Sequence, residues 1–292
     1  MIDAMLNEIK APSQPPPVGE EKKMETIYFG GGTPSLLNAE EIKKLLTAVY
    51  QKYNVDADAE ITLEASPDDI TAIKLAEWKS VGINRFSIGI QSFNREDLKW
   101  MNRAHNAVQA LQCIELVKNA GFQNYSVDLI YGTPTLSDDD WKKNVQTIID
   151  LGVPHISCYA LTVESNTALQ KMIALKKKEE VDPEKQASQF LLLMCWLQDA
   201  GYEHYEISNF AKPGYRSKHN SSYWQGKSYI GIGPSAHSFN GNSRRWNVSN
   251  NALYIQSLQK NIIPYEEEKL SDVQKLNEYI MTSLRTLEGL SL

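Results

Sequence analysis

Thr26-Ile27-Tyr28-Phe29-Gly30-Gly31-Gly32-Thr33-Pro34-Ser35 sets a short apolar run against three glycines and a proline. Strand-favouring residues followed by a glycine run read as a buried strand whose end admits a ligand. Without Cβ atoms, backbone amides and carbonyls can approach whatever sits there. Pro34 and Ser35 then open a loop toward a helix that Asn38 and Glu41 start as a capping box. That helix carries Ile42, Leu45, Leu46, Val49 and Tyr53 on one face.

Strand and helix alternate from this point on. Further strands are expected at Glu60–Glu64, Arg85–Ile90, Tyr125–Ile130 and His155–Ala160. Helices are expected over Asp68–Val81, around Leu111, Ile114 and Val117 up to Gly121, and after Ser137 with Trp141, Val145 and Ile148 inward. Asp182-Pro183 supplies the N-cap and N1 of a long helix, with Ala187, Phe190, Leu191, Met194 and Leu197 on its inner face. Upstream, Ile2, Met5, Leu6 and Ile9 mark a short helix, Pro12–Pro17 breaks it, and Glu20–Lys23 is a polar approach to the first strand. Downstream, Tyr202–Ile207 reads as one more strand, 209–251 as loop-rich, and Asn251–Lys260 and Ser271–Leu287 as helices.

Repeated strand–helix units imply a parallel sheet with right-handed crossovers. Polar residues mark the strand ends: Thr33, Glu64, Gln91, Asp128 and Thr162. In a barrel such ends converge on one ligand-binding mouth, whereas an open sheet strings them along an edge. The expected fold is therefore α/β, a partial (β/α) barrel with a loop-rich and helical C-terminal extension. Its parts are expected at 1–165 (barrel), 166–250 (flanking helix and loop segment) and 251–292 (start of a helical domain).

A net charge of −6 and a pI near 5.5 argue against a nucleic-acid partner. Lys212–Lys218 with Arg244 and Arg245 read as a solvated face. No segment is apolar enough to span a bilayer, which leaves peripheral membrane contact open, and no signal peptide is evident. Cys113, Cys158 and Cys195, odd in number and widely spaced, point to a reducing cytoplasm and to buried apolar thiols. Gly231-x-Gly233-x-x-Ala236 imitates a dinucleotide fingerprint but opens no helix. The glycine run lacks the Gly-Lys-Ser/Thr of a phosphate loop, and no G-x-S-x-G occurs. The five histidines form no zinc-ligand spacing; His105, His155 and His204 read as structural.

Taken in order, several stretches resemble the radical S-adenosylmethionine (SAM) proteins related to oxygen-independent coproporphyrinogen III oxidase. They are the opening glycine segment, Thr62-Leu63-Glu64-Ala65-Ser66-Pro67, Ser87-Ile88-Gly89-Ile90-Gln91-Ser92-Phe93, Asn102-Arg103 and Val127-Asp128-Leu129-Ile130-Tyr131-Gly132-Thr133-Pro134. A second set, Tyr205–Ala211, His219-Asn220-Ser221-Ser222-Tyr223-Trp224 and Gly231–Ser238, resembles the HemW-type haem chaperones, whose H-N-x-x-Y-W motif is linked to haem.

The resemblance implies that Gly31, Gly32 and Thr33 seat the amino-acid end of SAM and that Glu64 accepts hydrogen bonds from it. Gln91, Arg103 and Asp128 match positions assigned to a second SAM, Arg103 suiting a carboxylate, and Thr162 completes the strand-end set. For Glu64 and Asp128 the bland alternative is a buried salt bridge bracing the barrel. His219, with Tyr223 and Trp224, is implied to meet haem. The family also implies a [4Fe–4S] cluster on a C-x-x-x-C-x-x-C loop, which this sequence lacks together with the strand before it and most of the extension after Leu290.

The chain then reads as a piece of a longer protein or as a degenerate copy, and its status as an enzyme stays open. The leading function is a haem chaperone that passes haem to an apoprotein, unable to do SAM chemistry as the sequence stands. A coproporphyrinogen III dehydrogenase of porphyrin biosynthesis and a cluster-less SAM-binding or non-functional barrel are the alternatives.

Overall fold

The computed structural model describes residues 1–11 and 23–291; Pro12–Pro17 and most of the polar approach lie outside them. The elements run α1 (Ile2–Lys10), β1 (Met24–Phe29), α2 (Ala39–Lys52), β2 (Val55–Ala65), α3 (Ala72–Ser80) and β3 (Arg85–Gln91). Then come α4 (Arg95–Trp100), α5 (Ala107–Asn119), β4 (Tyr125–Tyr131), α6 (Asp138–Asp150), β5 (His155–Ala160), α7 (Ala168–Ala174) and α8 (Pro183–Asp199). The chain ends through β6 (Glu203–Glu206), β7 (Asn209–Ala211), α9 (Lys218–Trp224), β8 (His237–Phe239), β9 (Ser243–Asn247), α10 (Asn251–Gln259), β10 (Tyr265–Lys269) and α11 (Asp272–Ser283).

Strands β1 to β5 pair in parallel and in sequence order, and an antiparallel β6–β7 hairpin joins beyond β5. The sheet curls into the expected half-barrel. Its register separates two chemistries. Ile27, Ile61, Leu63, Phe86, Ile88, Val127, Leu129, Ile156 and Cys158 share the convex face, where the helices bury them in the main core. The alternate positions on the concave face are Thr26 and Tyr28, then Glu60, Thr62 and Glu64, then Arg85 and Ser87, then Ser126 and Asp128, then His155 and Ser157. Parallel strands covered on both faces usually read as continuous apolar runs. The strict alternation here reflects a polar lumen.

Local signals explain most boundaries. Asn38 and Glu41 form the full capping box of α2, and Asp182 caps α8 ahead of Pro183. The helix expected over Asp68–Val81 starts later, because Pro67–Asp69 makes a 3-10 turn and Thr71 accepts from Lys74 N as the cap of α3. The inner face of α8 is also rotated from the expected one: Gln189, Leu193 and Leu197 are buried, and Ala187, Leu191 and Cys195 face outward. Gln189 sets that phase. Its amide accepts from Gly132 N and donates to Leu136 O and Asp138, while its carbonyl accepts from Trp141 Nε1. Tyr202–Ile207 is half of a hairpin, and the loop-rich stretch contains β7, α9, β8 and β9. A second, antiparallel sheet of β8, β9 and β10 is tied to the N-terminus by Glu8. This fully buried carboxylate accepts from Gly233 N, Asn247 Nδ2 and Tyr254 Oη.

Candidate functional site

The lumen is built in two layers. In the lower one, Glu60 lies 3.7 Å from Arg85 Nε, and both side chains are almost wholly buried. Arg85 Nη2 donates to Ser126 Oγ, which meets His155 Nδ1 at 2.7 Å, and His155 Nε2 meets Tyr205 Oη at 2.7 Å. The circuit closes through Ser217, whose backbone N donates to Tyr205 Oη and whose hydroxyl donates to Glu60. Glu60 also accepts from the backbone N of Lys218 and of His219, so it holds the start of α9. Burial pushes the His155 imidazole well below its usual range.

In the upper layer, Glu64 accepts from Tyr28 Oη at 3.0 Å and from Gly31 N at 3.2 Å, and burial raises its pKa against both bonds. Asp128 accepts from Ser87 at 3.2 Å; burial, with repulsion from Glu64, raises it to about 6 against the bonds from Ser157 and Ser87. Arg103 is within electrostatic reach of Asp128, and burial lowers its pKa. Among the described residues neither Glu64 nor Asp128 makes an ion pair. The buried pair bracing the barrel is Glu60–Arg85, one layer down.

The expected SAM set is therefore brought together in part. Gly31, Glu64, Asp128 and Arg103 form one cluster. Gly31 and Gly32 have φ of +77° and +148° and nothing within 4 Å of a Cβ built on either, so only glycine takes this path and the loop backbone stays open. A Cβ on Gly30 would lie 2.7 Å from both Glu64 Oε1 and the Tyr28 ring, so that cradle exists only for glycine. These features fit the amino-acid end of SAM. Thr33 is exposed beside the loop. Gln91, left-handed at φ 67°, folds its amide back over Gly89, and Thr162 is exposed with one 3.4 Å bond to Ala160 O. Asp128 lies within β4, not at its end.

His219 sits over β1. Its Nδ1 meets Thr26 Oγ1 at 3.0 Å, its ring stacks on Tyr28 at 4.5 Å, and Tyr223 packs edge-on at 5.0 Å. Nε2 makes no hydrogen bond to any described residue. Burial lowers the imidazole pKa to about 4, a shift that nearby Glu60 opposes. A cavity of about 2250 Å³ borders this histidine, Tyr28, Tyr223, Gly31 and Thr33, so the glycine loop and His219 share one space. On the other side of α9 a cavity of about 310 Å³ is lined by Tyr159, Glu206, Asn209, Tyr223 and Trp224. The H-N-x-x-Y-W segment is thus a wall between two hollows.

Sequence reading missed Thr26, Tyr28 and Glu60, whose signal was only their period-two alternation with apolar neighbours. The three thiols do not fit an iron–sulfur cluster. Cys113 is on α5, Cys158 is buried on the convex side of β5, Cys195 is exposed on α8, and no described trio of His, Cys, Asp or Glu is arranged for a metal. Arg216 pairs with Glu203 and Glu288, and Arg244 with Glu278. No helix among the described residues is long and apolar enough to cross a membrane.

A half-barrel of parallel strands with a glycine loop at its mouth defines a radical SAM type of architecture. The family model of the radical SAM superfamily matches residues 18–148. The fold is similar to coproporphyrinogen III oxidase HemN from Escherichia coli, with a TM-score of 0.81 and 22% identity over 98% of this chain and 68% of that one. Haem chaperone HemW of Lactococcus lactis is 35% identical over 92% of this chain and 71% of its own length; that of Bacillus subtilis is 32% identical over 98% and 74%. The chain belongs to the HemW family of haem chaperones.

Proposed function

We propose that this protein binds haem through His219 and delivers it to a haem-accepting apoprotein. The observation that carries the reading is the imidazole itself: oriented at Nδ1, clamped by Tyr28, without a partner at Nε2 among the described residues, and bordering a cavity large enough for a porphyrin. A ligand to iron must be neutral, and burial keeps this one so at physiological pH. The haem-chaperone relatives and the H-N-x-x-Y-W segment support the same assignment.

The upper layer supports SAM as a second ligand. Gly31, Gly32 and Thr33 offer backbone groups to its amino-acid end, Glu64 accepts from its ammonium, and Arg103 with Asp128 and Gln91 forms the further polar wall, with Thr162 at the rim. SAM bound to a reduced iron–sulfur cluster supplies radicals in this superfamily. The described thiols hold no such cluster, and the activity proposed for these residues is binding and delivery.

Haem titration followed by absorbance tests the assignment. The protein is expected to shift the Soret band saturably, and His219→Ala is expected to abolish the shift. Identical spectra for the two proteins would refute haem ligation by His219.

A further inference from the structure

We infer that Thr26 and Glu60 are positioning residues for the haem-ligating histidine, a role that rests on the haem reading above. The two hold His219 from opposite ends. Glu60 receives the backbone N–H groups of Lys218 and His219, each at 3.1 Å, together with the Ser217 hydroxyl at 3.1 Å. One buried carboxylate thereby fixes where the first turn of α9 begins, and with it the Cα of His219. Arg85 and, through Ser126, His155 and Tyr205, the rest of the lower layer hold Glu60 and Ser217 in turn.

Thr26 acts on the ring. Its hydroxyl lies 3.0 Å from Nδ1. An imidazole can present a lone pair at Nε2 only when its proton is on Nδ1, and an oxygen acceptor at Nδ1 selects that tautomer and makes the ligating nitrogen more basic. Thr26 Oγ1 is placed to be that acceptor, and the Tyr28 ring stacked at 4.5 Å stops the imidazole from rotating away. Thr26 and Glu60 are paired in register on adjacent strands, so β1 and β2 present the two holds side by side.

The test compares wild-type protein, His219→Ala, Thr26→Val, Thr26→Ser and Glu60→Gln, all loaded with haem. Haem affinity, Soret position and the electron paramagnetic resonance g-values of ferric haem are read together. Thr26→Val is expected to weaken haem about 10- to 100-fold and to change the g-values, with Thr26→Ser restoring both. Glu60→Gln is expected to weaken haem similarly. It replaces one acceptor oxygen with a donor facing the N–H groups of α9. Where circular dichroism shows Glu60→Gln unfolded, Ser217→Ala takes its place, since it removes a hydroxyl bond to Glu60 together with the cap that hydroxyl gives Asn220 N, and leaves the Glu60–Arg85 pair intact. Wild-type spectra and affinity in Thr26→Val and in the Glu60 or Ser217 variant, with the Soret shift lost in His219→Ala, would overturn the positioning role and leave haem ligation standing. An unchanged shift in His219→Ala would overturn haem ligation itself.

Discussion

The lower and upper layers of the lumen come from the same strands and the same face, yet they are finished differently. Below, Glu60, Arg85, Ser126, His155, Tyr205 and Ser217 close on one another, and α9 lies across them. Above, Glu64 and Asp128 have too few partners to offset burial, so their pKa values rise, and a glycine loop lies open beside them. The lower network fixes geometry through the bonds its members make to one another, although Arg85 Nε has no hydrogen bond and meets Glu60 only as an ion pair at 3.7 Å. The upper carboxylates, raised by burial, hold electrostatics that a ligand can use. The lower layer is framework and the upper layer is the proposed SAM site, with His219 at the junction.

Breaking the framework should have the largest effect. Arg85→Met strands the Glu60 carboxylate in the interior and is expected to cost about 3–5 kcal/mol in urea denaturation. Arg103→Met, in the upper layer, should cost no more than about 1 kcal/mol in the same assay while weakening SAM binding in calorimetry. Equal losses in the two variants would erase the distinction.

A smaller effect separates the two faces of β2. Leu63→Ala, on the convex side, is expected to lose about 2–5 kcal/mol. Glu64→Gln, one residue on and facing the lumen, should stay within about 1 kcal/mol of wild type at pH 7, because burial already disfavours its charge.

The pH dependence sharpens the comparison further. Asp128 is raised to about 6, so between its unfolded value near 4 and that pH the folded state holds more protons, and stability falls as pH rises through the window. His155 and His219 are lowered, so their contribution is present above about 6.5 and is lost as pH falls below it. Asp128→Asn should remove the first trend and keep the second, seen as a stability profile from pH 4 to 7 that rises more steeply with pH than that of the wild type. The smallest change expected is in haem affinity: with His219 titrating at about 4, the Soret titration should be nearly flat from pH 7 to 5 and fall only near 4.

Much of the fold was legible from the residues. The five parallel strands, the capped starts of α2 and α8, and the barrel over an open sheet all follow from apolar periodicity, Asn38, Asp182 and the polar strand ends. Legibility failed where a polar side chain took an inward position. Gln189 rotated α8 by satisfying the turn after β4, and the late start of α3 depended on Thr71 outcompeting Pro67 as the helix boundary. In the site, Gly31, Glu64, Arg103, Asp128 and His219 were named from the family resemblance, Glu64 and Asp128 also from the polar strand ends, and all but His219 stand together in one cluster. Gln91 and Thr162 were named equally readily, and among the described residues no hydrogen bond ties either to that cluster.

The linear order of residues determined which face of each strand was polar, because side chains alternate across a strand whatever lies around it. It also fixed where the glycine loop falls. Only the tertiary structure decided what those polar faces do. Glu60 and Ser217 are 157 positions apart, and Thr26 and His219 are 193 apart. No local rule pairs them; curling of the sheet and the passage of α9 across it bring a carboxylate to a helix start and a hydroxyl to an imidazole.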